Sequence, residues 1–463
     1  MSNISVIGAG YVGLVTAACF AELGHKVSLL EIDPERLSAL ERGEMPISEP
    51  GLAEFWQRHQ AEGRICVTGS YIRGLLGAEF VFIAVGTPST RSGKPDLKWV
   101  RLAARSIAEA ASGPLVVVLK STVPVGTADM VAGILRRYGR NGHRFPVVSN
   151  PEFLREGAAV YDFMNPTRIV VGALEAGVAD GVVRLYQSLD SPVIVCDNRS
   201  AEMSKYVANV FLATRISFIN EIARLCDAYG VDVVQVEKVV EKEPRCGKGY
   251  LRAGLGWGGS CLPKDVRGLI HIAKSRGVPL PLVRTVQQIN QRQPQLIIEK
   301  LRRLLGSLEG KTVGVLGLSF KPDSDDMREA CSLSVVACLE EQGCRVKAYD
   351  PLAMESASRL MHEVTYCADA YEVARGSDAL ILVTGWDEFR KLDMKKMTHL
   401  MRHAVLVDSQ NFYNPDEMIQ AGFIYEGVSR DVSRDRKPVA EVTKKRKKRL
   451  QPAQGRVAVL KRA

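Results

Sequence analysis

The sequence predicts an α/β protein built from two Rossmann-like parallel-sheet domains joined by a central helical region. Three observations carry that prediction. Short apolar runs alternate with helical patterns twice, once on each side of a long helical stretch. The first run leads straight into Gly8-Ala9-Gly10-Tyr11-Val12-Gly13, and the stretch from about Ser200 to Tyr229 holds no Gly or Pro.

Asn3-Ile4-Ser5-Val6-Ile7 reads as a short buried strand, and the apolar-periodic run Leu14 to Leu23 reads as a helix stopped by Gly24. GxGxxG between a strand and a helix signals dinucleotide binding. Gly8 makes the tight turn, Gly10 admits the pyrophosphate and Gly13 lets helix and strand pack closely. Tyr11 and Val12 belong to the same cofactor turn, whose free N–H groups and helix dipole favour a diphosphate. A second strand, Lys26 to Leu30, ends at Glu31, eighteen residues past Gly13. An acid there accepts hydrogen bonds from ribose hydroxyls and repels a 2′-phosphate, so NAD is expected over NADP. Arg36 is placed to touch the adenosine and to offset part of that repulsion.

Further strands are expected at Phe80 to Val85 before Gly86-Thr87-Pro88, at Leu115 to Leu119 before Lys120-Ser121-Thr122, and at Pro146 to Ser149 before Asn150. Open α/β sheets bind ligands at such strand ends. The long helix carries an apolar stripe at Met203, Val207, Val210, Phe211, Thr214, Phe218 and Ile222. Lys205 and Asn209, four apart, share one of its faces. A second helical region spans roughly Pro281 to Leu305. Alternation then resumes with Thr312 to Leu318, Cys331 to Glu341, Cys344 to Tyr349, Ala379 to Val383 and Val405 to Val407. This half has Gly314 and Gly317 but no GxGxxG, so a mononucleotide is expected there, with Lys321 and Arg328 on its phosphates.

The segment Gly254-Leu255-Gly256-Trp257-Gly258-Gly259-Ser260-Cys261-Leu262-Pro263-Lys264-Asp265 is the densest chemical signal. Its glycines permit close backbone approach to a ligand, and Lys264 is a neighbour able to stabilise a thiolate at Cys261. A reactive cysteine in a chain that binds a hydride acceptor points to oxidation through a thiol-bound intermediate. The plainer alternatives are a small buried cysteine near a loop, an exposed Lys205/Asn209 pair, and Glu152 and Glu156 as partners of a helix dipole. Cys246 is the rival nucleophile, without the glycine loop or the trailing Lys-Asp.

At 463 residues with 46% hydrophobic content, the chain has core material for about three domains. No apolar run approaches the roughly 20 residues of a membrane helix, and no leader is expected before the first strand. Ten cysteines without a CxxC pair or metal-ligand spacing read as reduced thiols of a cytoplasmic protein. Residues 430–463 hold thirteen Lys or Arg against three Asp or Glu, a net +10 that equals the net charge of the whole chain. The body is therefore neutral rather than nucleic-acid-like. The basic tail, with Lys444-Lys445-Arg446-Lys447-Lys448-Arg449, is expected to be solvated and to contact a polyanion or anionic surface.

Several segments, in this order, resemble the UDP-glucose/GDP-mannose dehydrogenase family: GAGYVG, Val85 to Pro88, Lys120 to Gly126, Asn150 to Gly157, Ala201 to Asn209, Gly258 to Asp265, and Phe320-Lys321-Pro322-Asp323 through Glu329. The resemblance covers residues 1 to about 429. It implies an NAD-binding domain over 1–199, a central helical dimerisation region over 200–305 and a UDP-sugar-binding domain over 306–429. It also implies four-electron oxidation of UDP-glucose to UDP-glucuronate. GDP-mannose or a UDP-N-acetylhexosamine is the alternative substrate, and a non-catalytic nucleotide-binding protein tethered by its tail is the reading from another class.

By the same resemblance, Cys261 is the nucleophile, Lys205 and Asn209 stabilise the oxyanion, and Asp265 with a water handles protons, assisted by Thr122. Glu152 is the base for thioester hydrolysis. Thr87, Thr122, Glu156, Lys264 and Arg328 are cofactor-side contacts. Substrate contacts fall on Glu152, Phe153, Leu154 and Arg155, on the loop Tyr250, Leu251, Arg252, Ala253 and Gly254, and on Gly258 and Lys321, besides Lys205 and Asn209. Arg245, in Arg245-Cys246-Gly247, is expected to reach the neighbouring subunit of a homodimer. The chain departs from the family pattern at Glu31 for aspartate, Trp257 for phenylalanine and Ser409-Gln410 for Gly-Arg. The last change removes an arginine expected to contact the nucleotide.

Overall fold

In the computed structural model, residues 1–90, 92–139 and 142–430 are described. The basic tail, from residue 431 onward, lies outside them. The described chain forms two compact units: residues 1–215, 259–287 and 323–325 in one, and 216–258, 288–322 and the chain from 326 in the other.

The first unit holds an eight-stranded sheet: β1 (Asn3–Ile7), β2 (Lys26–Leu30), β3 (Ile65–Thr68), β4 (Phe80–Ile83), β5 (Val116–Leu119), β6 (Val147–Ser149), β7 (Ile169–Gly172) and β8 (Val193–Cys196). Their spatial order is β3-β2-β1-β4-β5-β6-β7-β8. Pairing is parallel throughout, except between β6 and β7, which meet antiparallel at Ser149 and Gly172. Both faces of the sheet are covered, which is why its inner strands read as unbroken apolar runs. Phe80 and Phe82 point into one core and Val81 and Ile83 into the other. Each such fully buried side chain contributes roughly 1.5–3 kcal/mol. The edge strand β8 differs, leaving Val193, Ile194 and Val195 exposed.

The second unit holds a six-stranded parallel sheet: β9 (Thr312–Leu316), β10 (Arg345–Tyr349), β11 (Thr365–Tyr366), β12 (Ala379–Leu382), β13 (Val405–Asp408) and β14 (Ile424–Gly427). Its order, β11-β10-β9-β12-β13-β14, repeats that of the first six strands of the other sheet. The architecture is thus the expected pair of parallel α/β sheets with a helical region between them in sequence. The helices Asn198–Tyr229, Val233–Glu241, Leu262–Ser275 and Pro281–Leu305 make up that region. Strands β3, β7, β8, β11 and β14 carry weak alternation and escape the sequence reading. Pro294 lies inside the last of these helices, where it forfeits one backbone donor.

The helix Asn198–Tyr229 separates its apolar residues by face. Tyr206, Val210, Ala213, Ile219 and Ala223 are buried, whereas Met203, Val207, Phe211, Phe218 and Leu225 are exposed. Lys205 and Asn209 lie on the buried side.

Candidate active site

The glycine turn between β1 and the helix Tyr11–Glu22 behaves as its spacing requires. Gly8 has φ +101°, and a Cβ on Gly13 would stand 1.8 Å from the Gly8 carbonyl oxygen. A Cβ on Gly10 would meet nothing within 4 Å, so the space over the helix N-terminus admits a diphosphate. Gly10 is the N-cap and makes no side-chain cap hydrogen bond. Glu31, at the end of β2, is buried; Oε2 accepts from Ala9 N at 2.8 Å and Oε1 accepts from Ile32 and Asp33 N. Its carboxylate therefore braces the glycine turn. Arg36 is 3.9 Å from Glu31. Thr87 donates to the Thr122 carbonyl at 2.8 Å, tying the segments after β4 and β5 together. The Tyr11 hydroxyl accepts from Gly157 N at 2.7 Å, which joins the turn to the segment after β6.

That segment carries Glu152, whose Oε1 is 3.0 Å from Lys205 Nζ, with both side chains buried (7% and 4% exposed). Glu152 Oε2 accepts from Leu154 N at 2.6 Å. Burial opposes ionisation of Glu152, but Lys205, the Leu154 N–H and the charge of Lys120 outweigh it and hold the carboxyl below its usual range. Burial likewise opposes a charged Lys205, and the negative groups Glu152, Asp265 and Cys261 reverse that, raising its pKa. The ammonium has three donors, so one can serve Glu152 while another faces a ligand.

Cys261 caps the helix Leu262–Ser275, whose N-terminal dipole favours a thiolate. Four residues on, Asp265 donates its N–H to the Cys261 carbonyl at 3.0 Å. The Asp265 carboxylate is buried, accepting Asn209 Nδ2 at Oδ2 and Lys264 Nζ at Oδ1, each at 2.6 Å. Asn209 reaches it because the helices pack closely at Gly268, where a Cβ would stand 2.9 Å from the Tyr206 ring. Cys261 is exposed as a residue. Desolvation by crowding groups, then Glu152, pushes its thiol up, against Lys205 and a Ser260 hydrogen bond that pull it down. This corrects one expectation: the cation acting on the thiol is Lys205, because Lys264 is engaged by Asp265.

One cluster therefore gathers Cys261, Lys205, Asn209, Asp265 and Glu152. Phe153 stacks under Arg168, whose guanidinium is 3.8 Å from the ring centroid, with Lys205 Nζ at 5.3 Å. Arg155 is exposed and bound through Nε and Nη2 to Asp162.

In the second unit, the loop Tyr250–Gly254 is fastened by buried side chains: Ala253 N donates to Glu237 and Gly254 N to Asn220. Glu237 is pushed up to about 7 by burial, against the Ala253 N–H that lowers it. Gly256, at φ +106°, lies so close to Asn290 that a Cβ would stand 2.3 Å from its amide oxygen, and a Cβ on Gly258 would stand 2.2 Å from the Glu329 carbonyl oxygen. Gln410 donates Nε2 to the Val383 carbonyl at 2.9 Å, and a Cβ on Gly254 would stand 3.5 Å from its Oε1. Arg328 is exposed and held by Asp326, and Lys321 Nζ is 5.6 Å from the Phe320 ring centroid. Arg245 projects outward, 87% exposed and paired with Glu243.

Three family models cover the chain consecutively. They are the UDP-glucose/GDP-mannose dehydrogenase NAD-binding domain over residues 2–190, the central domain over 199–292 and the UDP-binding domain over 314–415. The UDP-glucose 6-dehydrogenase TuaD of Bacillus subtilis is 42% identical over 439 residues, covering 95% of each chain. The chain belongs to the UDP-glucose/GDP-mannose dehydrogenase family. It is an NAD-dependent oxidoreductase of that family. Among solved structures, a UDP-glucose dehydrogenase from Pyrobaculum islandicum superposes with a TM-score of 0.87 at 39% identity, covering 93% of this chain and 98% of the other. A UDP-D-ManNAc dehydrogenase from Pyrococcus horikoshii superposes at 0.82 with 28% identity, covering 92% and 99%.

Sequence reasoning missed several residues that organise this dehydrogenase's site. Lys120, at the end of β5, is buried, donates to Asn150 Oδ1 at 3.0 Å and to Tyr186 OH at 3.2 Å, and is lowered to about 8 by burial, against Glu152, which raises it. Glu49 accepts from Gly157 and Ala159 N, and Glu202 from Gly126 and Ala128 N. A lysine closing an apolar strand was the one visible signal. The carboxylates serve backbone groups far away in the chain and leave no local pattern.

Proposed function

We propose that this dehydrogenase oxidises C6 of UDP-glucose twice and releases UDP-glucuronate, with Cys261 holding the carbon between the two oxidations. The observation that carries the reading is Cys261 at a helix N-terminus beside the buried Glu152–Lys205 pair. NAD, when bound, accepts a hydride at each oxidation. Asp265, through a water and beside Thr122, takes the proton of the C6 hydroxyl. The Cys261 sulfur then adds to the aldehyde, and Lys205 and Asn209 hold the resulting oxyanion. Loss of the second hydride leaves a thioester on Cys261. Glu152, kept ionised by Lys205, activates the water that cleaves it and restores the thiol.

UDP-glucose is favoured over GDP-mannose or a UDP-N-acetylhexosamine because the relatives at 42% and 39% identity are named for UDP-glucose, while the one named for an N-acetylated sugar is 28% identical. Tyr250 to Gly254, Gly258 and Lys321 bind the sugar nucleotide; Gly8 to Gly13, Glu31, Thr87, Glu156, Lys264 and Arg328 serve the cofactor. The three-part division at 1–199, 200–305 and 306–429 is supported by the consecutive family matches.

The enzyme acts as a cytoplasmic homodimer. The exposed apolar residues of the helix Asn198–Tyr229 and of β8 need covering, and a second copy is the simplest cover. Exposed Arg245 then reaches the neighbouring site, and the basic tail contacts a polyanion. Counting NADH released per sugar nucleotide in a substrate screen tests the central reading. Two per UDP-glucose is expected; one per sugar, or faster turnover of another sugar nucleotide, would overturn it.

A further inference from the structure

Lys120, just past the end of β5, is buried in the first unit, and among the described residues no carboxylate pairs with it. Its ammonium donates instead to neutral groups, Asn150 Oδ1 at 3.0 Å and Tyr186 OH at 3.2 Å. The rings of Phe163 and Tyr186 flank it, with centroids 5.8 and 5.5 Å from Nζ. A lysine so placed is a poor stabiliser of the fold, because desolvation disfavours its charge and no adjacent counterion offsets the loss. Its presence there calls for another reason.

The group it holds leads directly into the Glu152 segment. Asn150 Oδ1 accepts Tyr186 OH at 2.6 Å as well as Lys120, and Nδ2 donates to the Val170 carbonyl at 2.7 Å. Both ends of the Asn150 amide are therefore held. The Asn150 N–H donates to the Leu119 carbonyl at 2.9 Å, beside Lys120 in the chain. Glu152 follows two residues on, and Pro151 fixes one of the dihedrals between them. Lys120 and Glu152 also interact through their charges.

We propose that Lys120 is a positioning residue for the reaction: with Tyr186 it clamps Asn150, and so fixes Glu152 where it activates water against the thioester. This rests on the reading of Glu152 as the hydrolytic base. Lys120 touches no reacting atom; it acts through Asn150 and through its charge. Because it adds little to stability, its effects on folding and on turnover separate.

The test uses the full chain with Lys120→Met, Tyr186→Phe and Glu152→Gln. Methionine keeps the apolar stem of the lysine and leaves Asn150 Oδ1 bonded to Tyr186. Lys120→Met should melt at or above the wild-type temperature, because an unpaired buried charge is gone. At saturating NAD and UDP-glucose its kcat should fall by about tenfold or more, since misplacing a group by about 1 Å can cost roughly a hundredfold. Tyr186→Phe should show a smaller loss, and KM for UDP-glucose should stay near wild type in both. Both hydrides leave before the thioester is cleaved, so mixing should give a burst of NADH followed by slow turnover. Acid-quenched samples should carry the sugar nucleotide on the peptide containing residue 261, as in Glu152→Gln. A Lys120→Met protein that melts well below wild type would make the lysine structural and overturn the proposal. So would a wild-type kcat, or a slow enzyme that accumulates no adduct while Glu152→Gln does. If Glu152→Gln itself accumulates none, the reading of Glu152 as base has failed, and the proposal falls with it.

Discussion

Replacing Lys205 by methionine should cost stability and activity by separable routes. Lys205 and Glu152 are 3.0 Å apart with 4% and 7% of their side chains exposed. Removing one partner of so buried a pair leaves an uncompensated charge and typically costs about 3–5 kcal/mol. For a unit of this size each kcal/mol lowers the transition by roughly 2–4 °C, so a fall of about 6–20 °C follows. Its pH dependence has a definite sign. In the wild type the Glu152 pKa is lowered, so its stabilising contribution is present above the unfolded carboxyl pKa and is lost as pH falls through the folded value. In Lys205→Met, burial acts against the carboxylate with less opposition, and the penalty grows as pH rises. The gap in melting temperature between the two proteins should therefore be wide near about pH 8 and narrower at acid pH, where the unpaired carboxyl takes up a proton more readily. The double variant Lys205→Met/Glu152→Gln removes both charges and should recover much of the lost melting temperature without recovering turnover. Calorimetry at the two pH values, with turnover measured in parallel, checks this. A gap that does not change with pH, or a Lys205→Met protein as stable as wild type near pH 8, would refute a buried, compensated pair.

Three further outcomes are expected. Cys261→Ser should stall with sugar attached as an oxygen ester, seen as added mass on the peptide containing residue 261, while Cys246→Ala turns over normally. Gly13→Ala places a Cβ 1.8 Å from the Gly8 carbonyl oxygen; the overpacking, about 1–3 kcal/mol, should weaken NAD binding by calorimetry roughly tenfold to a hundredfold and leave sugar-nucleotide affinity unchanged. Truncation after Arg430, which keeps that residue's contact with Asp232, should preserve kcat while abolishing salt-sensitive retention on a polyanion column; a collapse of activity without unfolding would show the tail to be part of the enzyme.

The sequence by itself determined what is local. The strand–glycine–helix start needs only a run of apolar residues and three glycines at set offsets, and Gly8 and Gly13 adopt the geometry those offsets imply. Spacing by four placed Lys205 with Asn209 on a single helical face, because the α-helix repeats every 3.6 residues. Tertiary structure alone decided which of these groups face each other. Lys205 meets a glutamate 53 positions away, and this pairing, rather than adjacent Lys264, supplies the charge near the thiol. The antiparallel meeting of β6 with β7, the exposed β8 and the buried Lys120 have no periodic signature either. They arise where strand ends and helix termini from distant parts of the chain are forced into one space, and each buried polar group there takes the partner that chain packing brings within reach.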